Sequence, residues 1–184
     1  EKSSKPMKTI TDLPGVFASA INSKIRGDSS TRLDLAYIFV PNAASVVGVF
    51  TQNKFRAFSV DYSERCVRRQ NVKAVIINSG NANAATGDEG KRNVERMTEL
   101  VALRLNLEPD QVAIAQTGII GKQLPMEQIE IGIESLLKNT ERREGALAAE
   151  AILTTDLTRK EVFLTQQIAG RSISIAGFTK GSGM

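Results

Sequence analysis

Four short segments carry the residues whose types and spacing could support chemistry. The first, Asn78-Ser-Gly-Asn-Ala-Asn-Ala-Ala-Thr-Gly87, lies between a predicted strand and a predicted helix. Its small residues would let the backbone approach a ligand, and a helix N-terminus offers free N–H groups to an anion. A polar loop whose Asn side chains cap the strand and the helix explains the same residues without a ligand. On mechanism alone we favour that structural interpretation.

The second segment, Gln116-Thr-Gly-Ile-Ile-Gly-Lys122, also follows a predicted strand. Its likeness to a P-loop is superficial, because Gln116 and Gln123 stand where that motif needs Gly and Ser or Thr. The Thr117–Gly118 pair could instead donate a hydroxyl and a backbone N–H to an oxyanion. Turns of this kind are more often only structural.

The other two segments lie towards the end of the chain. Thr154-Thr155-Asp156 closes a predicted Ala-rich helix and could be no more than its C-terminal cap. Lys180 stands among glycines, so its ammonium could reach a ligand carboxylate, although exposed terminal lysines are common. None of the four segments is specific by itself.

Three low residue counts limit the possible chemistry. The 184 residues include no His, no Trp and a single Cys, Cys66. The chain therefore cannot build a catalytic triad with an imidazole, a His metal ligand, a zinc cluster or an internal disulfide. We expect no metal site. Either the chain is not an enzyme, or its nucleophile works without an imidazole.

The charge and hydropathy patterns exclude further classes. The net charge is only +4, and the window 54–73 holds an excess of basic residues together with aromatics that could stack on bases. We favour a solvated edge or an oligomer contact there and expect no nucleic-acid partner. The longest apolar run, residues 35–40, is too short to span a membrane, and residues 1–10 lack the apolar stretch of a signal peptide. A reducing cytoplasm is expected.

Strands and helices are intermixed in the predicted order of elements. Strands are expected at residues 33–40, 45–50, 73–78 and 112–116, the first two forming a hairpin through Pro41–Asn42. Helical spacing of apolar residues predicts helices at 88–105 and 125–138, and an Ala-rich helix at 141–153 with Thr140 as its N-cap. A second hairpin is expected from residues 161–168 and 172–178 around Gly170–Arg171. The fold class is therefore α/β, in its mixed α+β form.

The apolar alternation of that last strand runs into a glycine-rich segment at residues 177–184. A flexible tail and a chain cut from a longer one explain this pattern equally well.

Five segments, taken together and in this order, closely resemble the ornithine acetyltransferase family, the bifunctional glutamate N-acetyltransferases of arginine biosynthesis. They are Gly48-Val-Phe-Thr-Gln-Asn-Lys54, Asn78-Ser-Gly-Asn-Ala-Asn-Ala84, Gln116-Thr-Gly-Ile-Ile-Gly121, Leu153-Thr-Thr-Asp156 and Lys180-Gly-Ser-Gly-Met184. The resemblance extends from about Leu13 to Met184. Two departures are Ala85, where the family commonly has Cys, and Ala18-Ser-Ala-Ile-Asn22, where it has a glycine-containing segment.

The resemblance implies that a precursor cleaves itself before a threonine, which becomes the nucleophile at the N-terminus of a β chain. Residues 1–184 would then be the single domain of the α chain, with layered sheets and helices completed by the β chain, in an assembly of several αβ units. No cofactor is implied, although acetyl-CoA serves some members as a co-substrate.

The resemblance also implies roles for four residues. Thr117 and Gly118 match the family's oxyanion hole, and Thr154 and Lys180 match residues that contact the amino-acid substrate. Acetyl would pass from N2-acetylornithine to glutamate by a ping-pong mechanism through an acetyl-threonine. Two alternatives stay open, namely a related self-cleaving acyltransferase with different acyl specificity and a non-catalytic anion-binding module.

Overall fold

The computed structural model describes residues 7–181 of the chain. Four strands form one sheet in the order β1-β2-β3-β4, and two further strands form a separate hairpin. The strands are β1 Phe17–Ile21, β2 Leu35–Phe39, β3 Ala74–Asn81, β4 Val112–Ile119, β5 Lys160–Ile168 and β6 Arg171–Thr179. The helices are α1 Phe58–Arg68, α2 Gly87–Leu105, α3 Met126–Leu136 and α4 Gly145–Ala151, with short 3-10 turns at Ile10–Asp12 and Pro109–Gln111. The expected α/β class with mixed sheets is confirmed.

The pairing of β3 with β4 sets the position of the site. β1, β2 and β3 pair antiparallel, whereas β3 and β4 pair parallel, with α2 as the crossover between them. The carboxyl ends of parallel strands meet at one edge of a sheet. The segments that follow β3 and β4, which hold two of the candidate motifs, are therefore neighbours.

The sheet lies between helices on both faces. Along β2, Leu35 and Tyr37 belong to the larger core cluster, which contains the buried faces of α1, α2 and α3, and Ala36 belongs to the smaller cluster on the α4 side. Successive strand residues point to opposite faces, so this alternation describes a sheet with two covered sides. Small residues, among them Ala18 and Ala148, let α4 approach the sheet closely.

The strongly patterned elements occur where they were expected. α2 begins at Gly87 and ends at Leu105, α3 ends at Leu136, and β5 and β6 form the predicted C-terminal hairpin. The turn of this hairpin is Ala169–Gly170, with φ angles of +49° and +76°, rather than Gly170–Arg171. Positive φ at both central residues matches the twist of the strands.

The strand expected at residues 45–50, and with it the first hairpin, is wrong. β2 pairs with β1 and β3 instead, and residues 45–50 form no strand. Val47 and Val49 are 89% and 100% exposed. An apolar segment forms a strand only where a neighbouring strand pairs with it, and residues 45–50 have no such neighbour, although Val46 packs against the larger core.

The Ala-rich helix is shorter than expected, and its N-cap is Glu144 rather than Thr140. The residues before it pair with β1: the N–H of Ala18 donates to the Arg142 carbonyl at 2.9 Å, and the N–H of Glu144 donates to the Ala18 carbonyl at 2.8 Å. This backbone pairing replaces the first helical turn.

Two elements were missed by the sequence analysis. β1 is short, and α1 lies inside the basic window 54–73 and buries a mixed face of two serines with Tyr62 and Cys66. Ser63 in α1 donates its hydroxyl to the Ile114 carbonyl at 2.7 Å and accepts the Ile114 N–H at 2.9 Å. Serines at two of the four buried positions of α1 interrupt the apolar spacing by which a helix is usually predicted.

Residues 1–6 and 182–184 lie outside the described part of the chain. The C-terminal motif is therefore described only through Gly181. The expectation that residues 1–10 are not a signal peptide falls mostly on residues outside the described part. Within residues 7–181, no helix has the length and apolar character needed to cross a membrane.

Candidate functional site

The site is built around a corner where β3 and β4 come together at their carboxyl ends. Thr117 pairs with Ser79 and Gly118 with Gly80, and the register shifts at Gly80 and Asn81. Gly118 has φ +138°, and a Cβ placed on it would lie 2.3 Å from the carbonyl carbon of Gly80. Only glycine fits this approach between the two backbones. The close approach of β3 and β4 therefore requires glycine at position 118 and fixes the position of Thr117 beside it.

Arg26 lies behind this corner. A Cβ on Gly80, which has φ +97°, would lie 2.6 Å from the Cγ of Arg26. The guanidinium donates to the Ser79 hydroxyl at 2.7 Å and to the Leu153 carbonyl at 2.6 Å. Burial lowers the pKa of Arg26, and the neighbouring Arg32 lowers it further. Arg26 thus ties the end of β3 to the segment that follows α4.

The structure brings Lys180 to Thr117. The Lys180 ammonium lies 3.1 Å from the Thr117 hydroxyl oxygen and donates to it, although 63 positions separate the two residues. An ammonium has no acceptor, so the hydroxyl oxygen accepts and its own proton remains free to donate elsewhere. A positive charge and a free O–H donor at one corner form an arrangement suited to an oxyanion or a carboxylate.

Thr154 lies in the turn after α4, half-buried, and its carbonyl accepts a hydrogen bond from Arg32 at 3.0 Å. The same turn contains Asp156, which accepts the N–H of Gly181 at 2.7 Å. Thr154 and Lys180 therefore lie in segments that contact each other through Asp156 and Gly181, and their substrate-binding roles stay predictions.

Asp156 is a residue of the site to which the sequence analysis gave no role beyond a helix cap. Its side chain is fully buried and forms an ion pair with Lys160. The hydrogen bonds from Lys160 and from the Gly181 N–H lower the pKa of Asp156 to about 2, from an ordinary 3.8. Its place in the Thr-Thr-Asp segment was the available signal, but its partners lie in β5 and in the terminal segment.

The asparagine-rich segment forms a closed polar network. Asn83 donates its side-chain amide to the Gly90 carbonyl at 2.9 Å and to Gln116 at 3.1 Å, and Gln116 donates to Asn78 at 2.8 Å. The amide of Asn81 donates to the carbonyls of residues 122 and 123 at 3.0 and 3.1 Å. Asn78, Asn81 and Asn83 are all buried. The structural interpretation is therefore the one that the geometry favours, because these side chains bind protein groups.

The basic window 54–73 carries much of its charge in ion pairs. Three of its four arginines pair with acidic residues, Arg56 with Asp61 and Glu64, Arg68 with Glu64, and Arg69 with Asp110. These pairs lower the net positive charge that the window presents to a polyanion. Within residues 7–181, no group of three or more acidic or cysteine side chains is arranged to hold a metal ion.

Comparisons with known proteins agree with this fold. The ArgJ family model matches residues 17–184. The chain is 39% identical to the arginine biosynthesis bifunctional protein ArgJ of Lactococcus lactis over 96% of its own length and 43% of that protein. With the corresponding protein of Synechocystis the identity is 38%, over 95% of this chain and 42% of the relative. The chain thus spans less than half the length of these curated relatives.

Two solved structures share the fold. The chain is similar to the crystal structure of the ArgJ protein from Bacillus halodurans, with a TM-score of 0.87 and 34% identity over 96% of this chain and 92% of that one. It is also similar to ornithine acetyltransferase complexed with ornithine from Mycobacterium tuberculosis, with a TM-score of 0.87 and 32% identity over 96% and 93%. On the family match and these likenesses, the chain belongs to the ArgJ family.

Proposed function

We propose that this chain is the α subunit of a glutamate N-acetyltransferase that moves acetyl from N2-acetylornithine to glutamate. The observation that carries the proposal is the contact between Lys180 and Thr117 at 3.1 Å, beside Gly118. It places a cation and a free hydroxyl donor at one corner in a chain of the ArgJ family. The ornithine bound by the Mycobacterium tuberculosis relative supports an amino-acid substrate.

The lengths of the relatives support a second chain. This chain matches 42 to 43% of two curated relatives but 92% of the polypeptide in the Bacillus halodurans crystal. A chain of about this length is thus a separate polypeptide in that crystal, as expected if a precursor is divided in two. We propose that the second chain begins with a threonine.

Two uncovered apolar surfaces support the same partner. Five side chains on one face of the β5–β6 hairpin are 42 to 63% exposed, namely Val162, Leu164, Ile168, Ile173 and Ile175. Ile119 and Ile120, directly after Gly118, are 59% and 69% exposed. Contiguous exposed apolar surface marks an interaction site, and an isolated two-stranded sheet is only marginally stable in water. The second chain would cover both surfaces and so reach the corner from outside.

In the proposed reaction the hydroxyl of the second chain's threonine attacks the acetyl carbonyl of N2-acetylornithine. A C–O bond forms, the amide C–N bond breaks, and the hydroxyl proton passes through the threonine's own amine to the leaving amine of ornithine. The Thr117 hydroxyl and the Gly118 N–H stabilise the negative charge on the carbonyl oxygen. Glutamate then attacks the acetyl-threonine ester by the same steps, which makes the cycle ping-pong.

Lys180 and Thr154 bind the amino acids in this scheme. Both acetylornithine and glutamate carry an α-carboxylate, and the Lys180 ammonium is a suitable partner for it. The reaction needs no cofactor, because the nucleophile and the oxyanion donors are protein groups. Acetyl-CoA would act only as an alternative acetyl donor in the first half-reaction. The assembly of several αβ units stays a prediction.

The test is to produce the full-length gene product and to identify the chains that co-purify. We expect this chain together with a second one whose first residue is threonine, and transfer of labelled acetyl from N2-acetylornithine to glutamate. Absence of a second chain would contradict the proposal. Transfer of another acyl group in preference to acetyl would favour the alternative of a related acyltransferase with different specificity.

A further inference from the structure

Phe178 packs against the smaller core cluster, and the chain beyond it, which carries Lys180, is held by polar contacts. β6 ends at Thr179, and a Cβ placed on Gly181, which has φ +130°, would meet nothing within 4 Å. The N–H of Gly181 donates to Asp156 at 2.7 Å, and the Gly181 carbonyl accepts from the Lys160 ammonium at 2.7 Å. The backbone N–H and the carbonyl of Gly181 are therefore both bound by the Asp156–Lys160 ion pair.

The ion pair is itself firmly placed. The Asp156 carboxylate is fully buried, in the turn after α4, whereas Lys160 begins β5. Arg26 and Arg32 donate to the carbonyls of Leu153 and Thr154 in the same turn, at 2.6 and 3.0 Å. Arg26 and Arg32 thus hold the turn in place independently of its contact with the terminal segment.

We infer that Asp156 and Lys160 are positioning residues that hold Lys180 on Thr117 and so preform the carboxylate-binding cation of the acetyl transfer. This inference rests on the proposed function for the role of Lys180, while the geometry of the segment stands by itself. Without the pair, Lys180 would keep its charge but lose the contacts that fix the residue after it, because the last β6 side chain packed on a core cluster is Phe178.

The ionisation of Asp156 is consistent with this role. Its pKa of about 2 keeps it charged through the neutral range, so it would not exchange protons with substrate at neutral pH. A permanent negative charge that binds Lys160 and a backbone N–H orients a chain segment. Asp156 therefore acts through Lys180 rather than on the reacting atoms.

The experiment compares Asp156→Ala and Lys160→Met with wild type in the protein as purified from the full-length gene product. Lys160→Arg keeps the charge and the donors, and Asp110→Ala removes an exposed, ion-paired aspartate elsewhere as the matched control. Hydrogen exchange of the Gly181 amide and the KM and kcat for both amino acids are measured. The first two variants should speed Gly181 exchange and raise both KM values about tenfold, as for one lost hydrogen bond to a charged group. The decrease in kcat should be smaller than the increase in KM. Lys160→Arg and Asp110→Ala should behave as wild type.

The readouts separate the inference from the proposed function. Unchanged Gly181 exchange in both variants would overturn the inference, and so would faster exchange with unchanged KM values. If the wild type transfers no acetyl group but the two variants still speed Gly181 exchange, the proposed function would be overturned. The positioning of Lys180 by Asp156 and Lys160 would then remain supported. If Asp156→Ala does not fold, Lys160→Met carries the same test, because Lys160 is partly exposed.

Discussion

The corner between β3 and β4 and the β5–β6 hairpin distribute polar and apolar groups in opposite ways. At the corner, buried asparagines donate to backbone carbonyls, Gln116 links two of them, and the backbones approach so closely that Gly118 admits no Cβ. On the hairpin, Leu164 and Ile175 face each other across the strands and are 62% and 63% exposed.

This contrast indicates which of the two regions finds all its packing and hydrogen-bonding partners within the chain. Buried polar groups are stable only when each finds a partner, and the corner supplies those partners itself. Exposed apolar faces gain stability only when something covers them, and the outer face of the hairpin has no cover within residues 7–181. The asparagines of the corner find their partners within this chain, whereas the apolar face of the hairpin is where we propose that the second chain binds.

The largest effect is expected from adding one methyl group to the corner. Gly118→Ala places a Cβ 2.3 Å from a backbone carbon at φ +138°, and we expect a loss of at least ~3 kcal/mol in the free energy of unfolding. The control is Gly177→Ala in the hairpin, where the added Cβ meets nothing within 4 Å. Urea denaturation measures both variants. Equal stabilities would mean that the corner is no more tightly built than the hairpin.

Thr117→Ala should remove one oxyanion donor without disturbing the corner. We expect kcat to fall by ~10²–10³ while the melting temperature stays unchanged. Thr165→Ala, which removes an exposed hydroxyl bonded to Ser174 on the hairpin, is the matched control and should leave kcat as it is. Steady-state kinetics of the two-chain enzyme decide, and an unchanged kcat in Thr117→Ala would take the oxyanion role from this residue.

Lys180→Met should affect binding rather than turnover. Without the ammonium, the KM for acetylornithine and for glutamate should both rise, by about tenfold to a hundredfold for a lost charged hydrogen bond. Substrate saturation curves measure this effect. If only one of the two KM values moved, Lys180 would not bind the carboxylate that both amino acids share.

A charge on the hairpin tests the other half of the comparison. Leu164→Glu places a carboxylate on the exposed apolar face, and we expect recovery of the second chain with this chain to fall at least about tenfold, since an uncovered leucine side chain is worth about 1.5–3 kcal/mol on burial. Thr165→Glu puts the same charge on the opposite face as the control. Equal recovery from both variants would place the second chain elsewhere.

The smallest expected effect is on the free energy of unfolding at acidic pH. The pKa of Asp156 is about 2 instead of 3.8, so its ionised form stabilises the folded state above pH 3.8, and this contribution is lost as the pH falls towards 2. The stability difference between wild type and Asp156→Asn should therefore be constant near neutral pH and shrink below pH 3.8. Urea denaturation at several pH values measures it, and a difference independent of pH would contradict the assigned pKa.

Sequence patterns predicted some elements well and others poorly for a physical reason. α2 and α3 repeat apolar residues at helical spacing, and the terminal hairpin alternates around a turn with glycine, so local chemistry specifies them. Residues 45–50 alternate in the same way but have no partner strand, and the buried face of α1 mixes serines with the core residues Tyr62 and Cys66. Local pattern carries no information about which segments will be neighbours.

The candidate site shows the same division. Thr117, Gly118, Thr154 and Lys180 were identified from the family resemblance, and the structure joins Thr117 to Lys180 directly. Lys160 and Arg26 were assigned no role and Asp156 none beyond a helix cap, because each has a partner far along the chain. Their contribution is visible only when those segments meet.

The sequence by itself determined what chemistry this chain could hold. The absence of histidine excludes an imidazole triad within the chain, and the five ordered segments resemble a family for which we expect a threonine nucleophile on another chain. Only the tertiary structure decided where the cation is placed: Lys180 reaches Thr117 because the parallel pairing of β3 and β4 forms the corner, and because Asp156 holds the segment after β6. Residue types set the available donors and charges, but distances between residues 63 positions apart depend on the path of the whole chain.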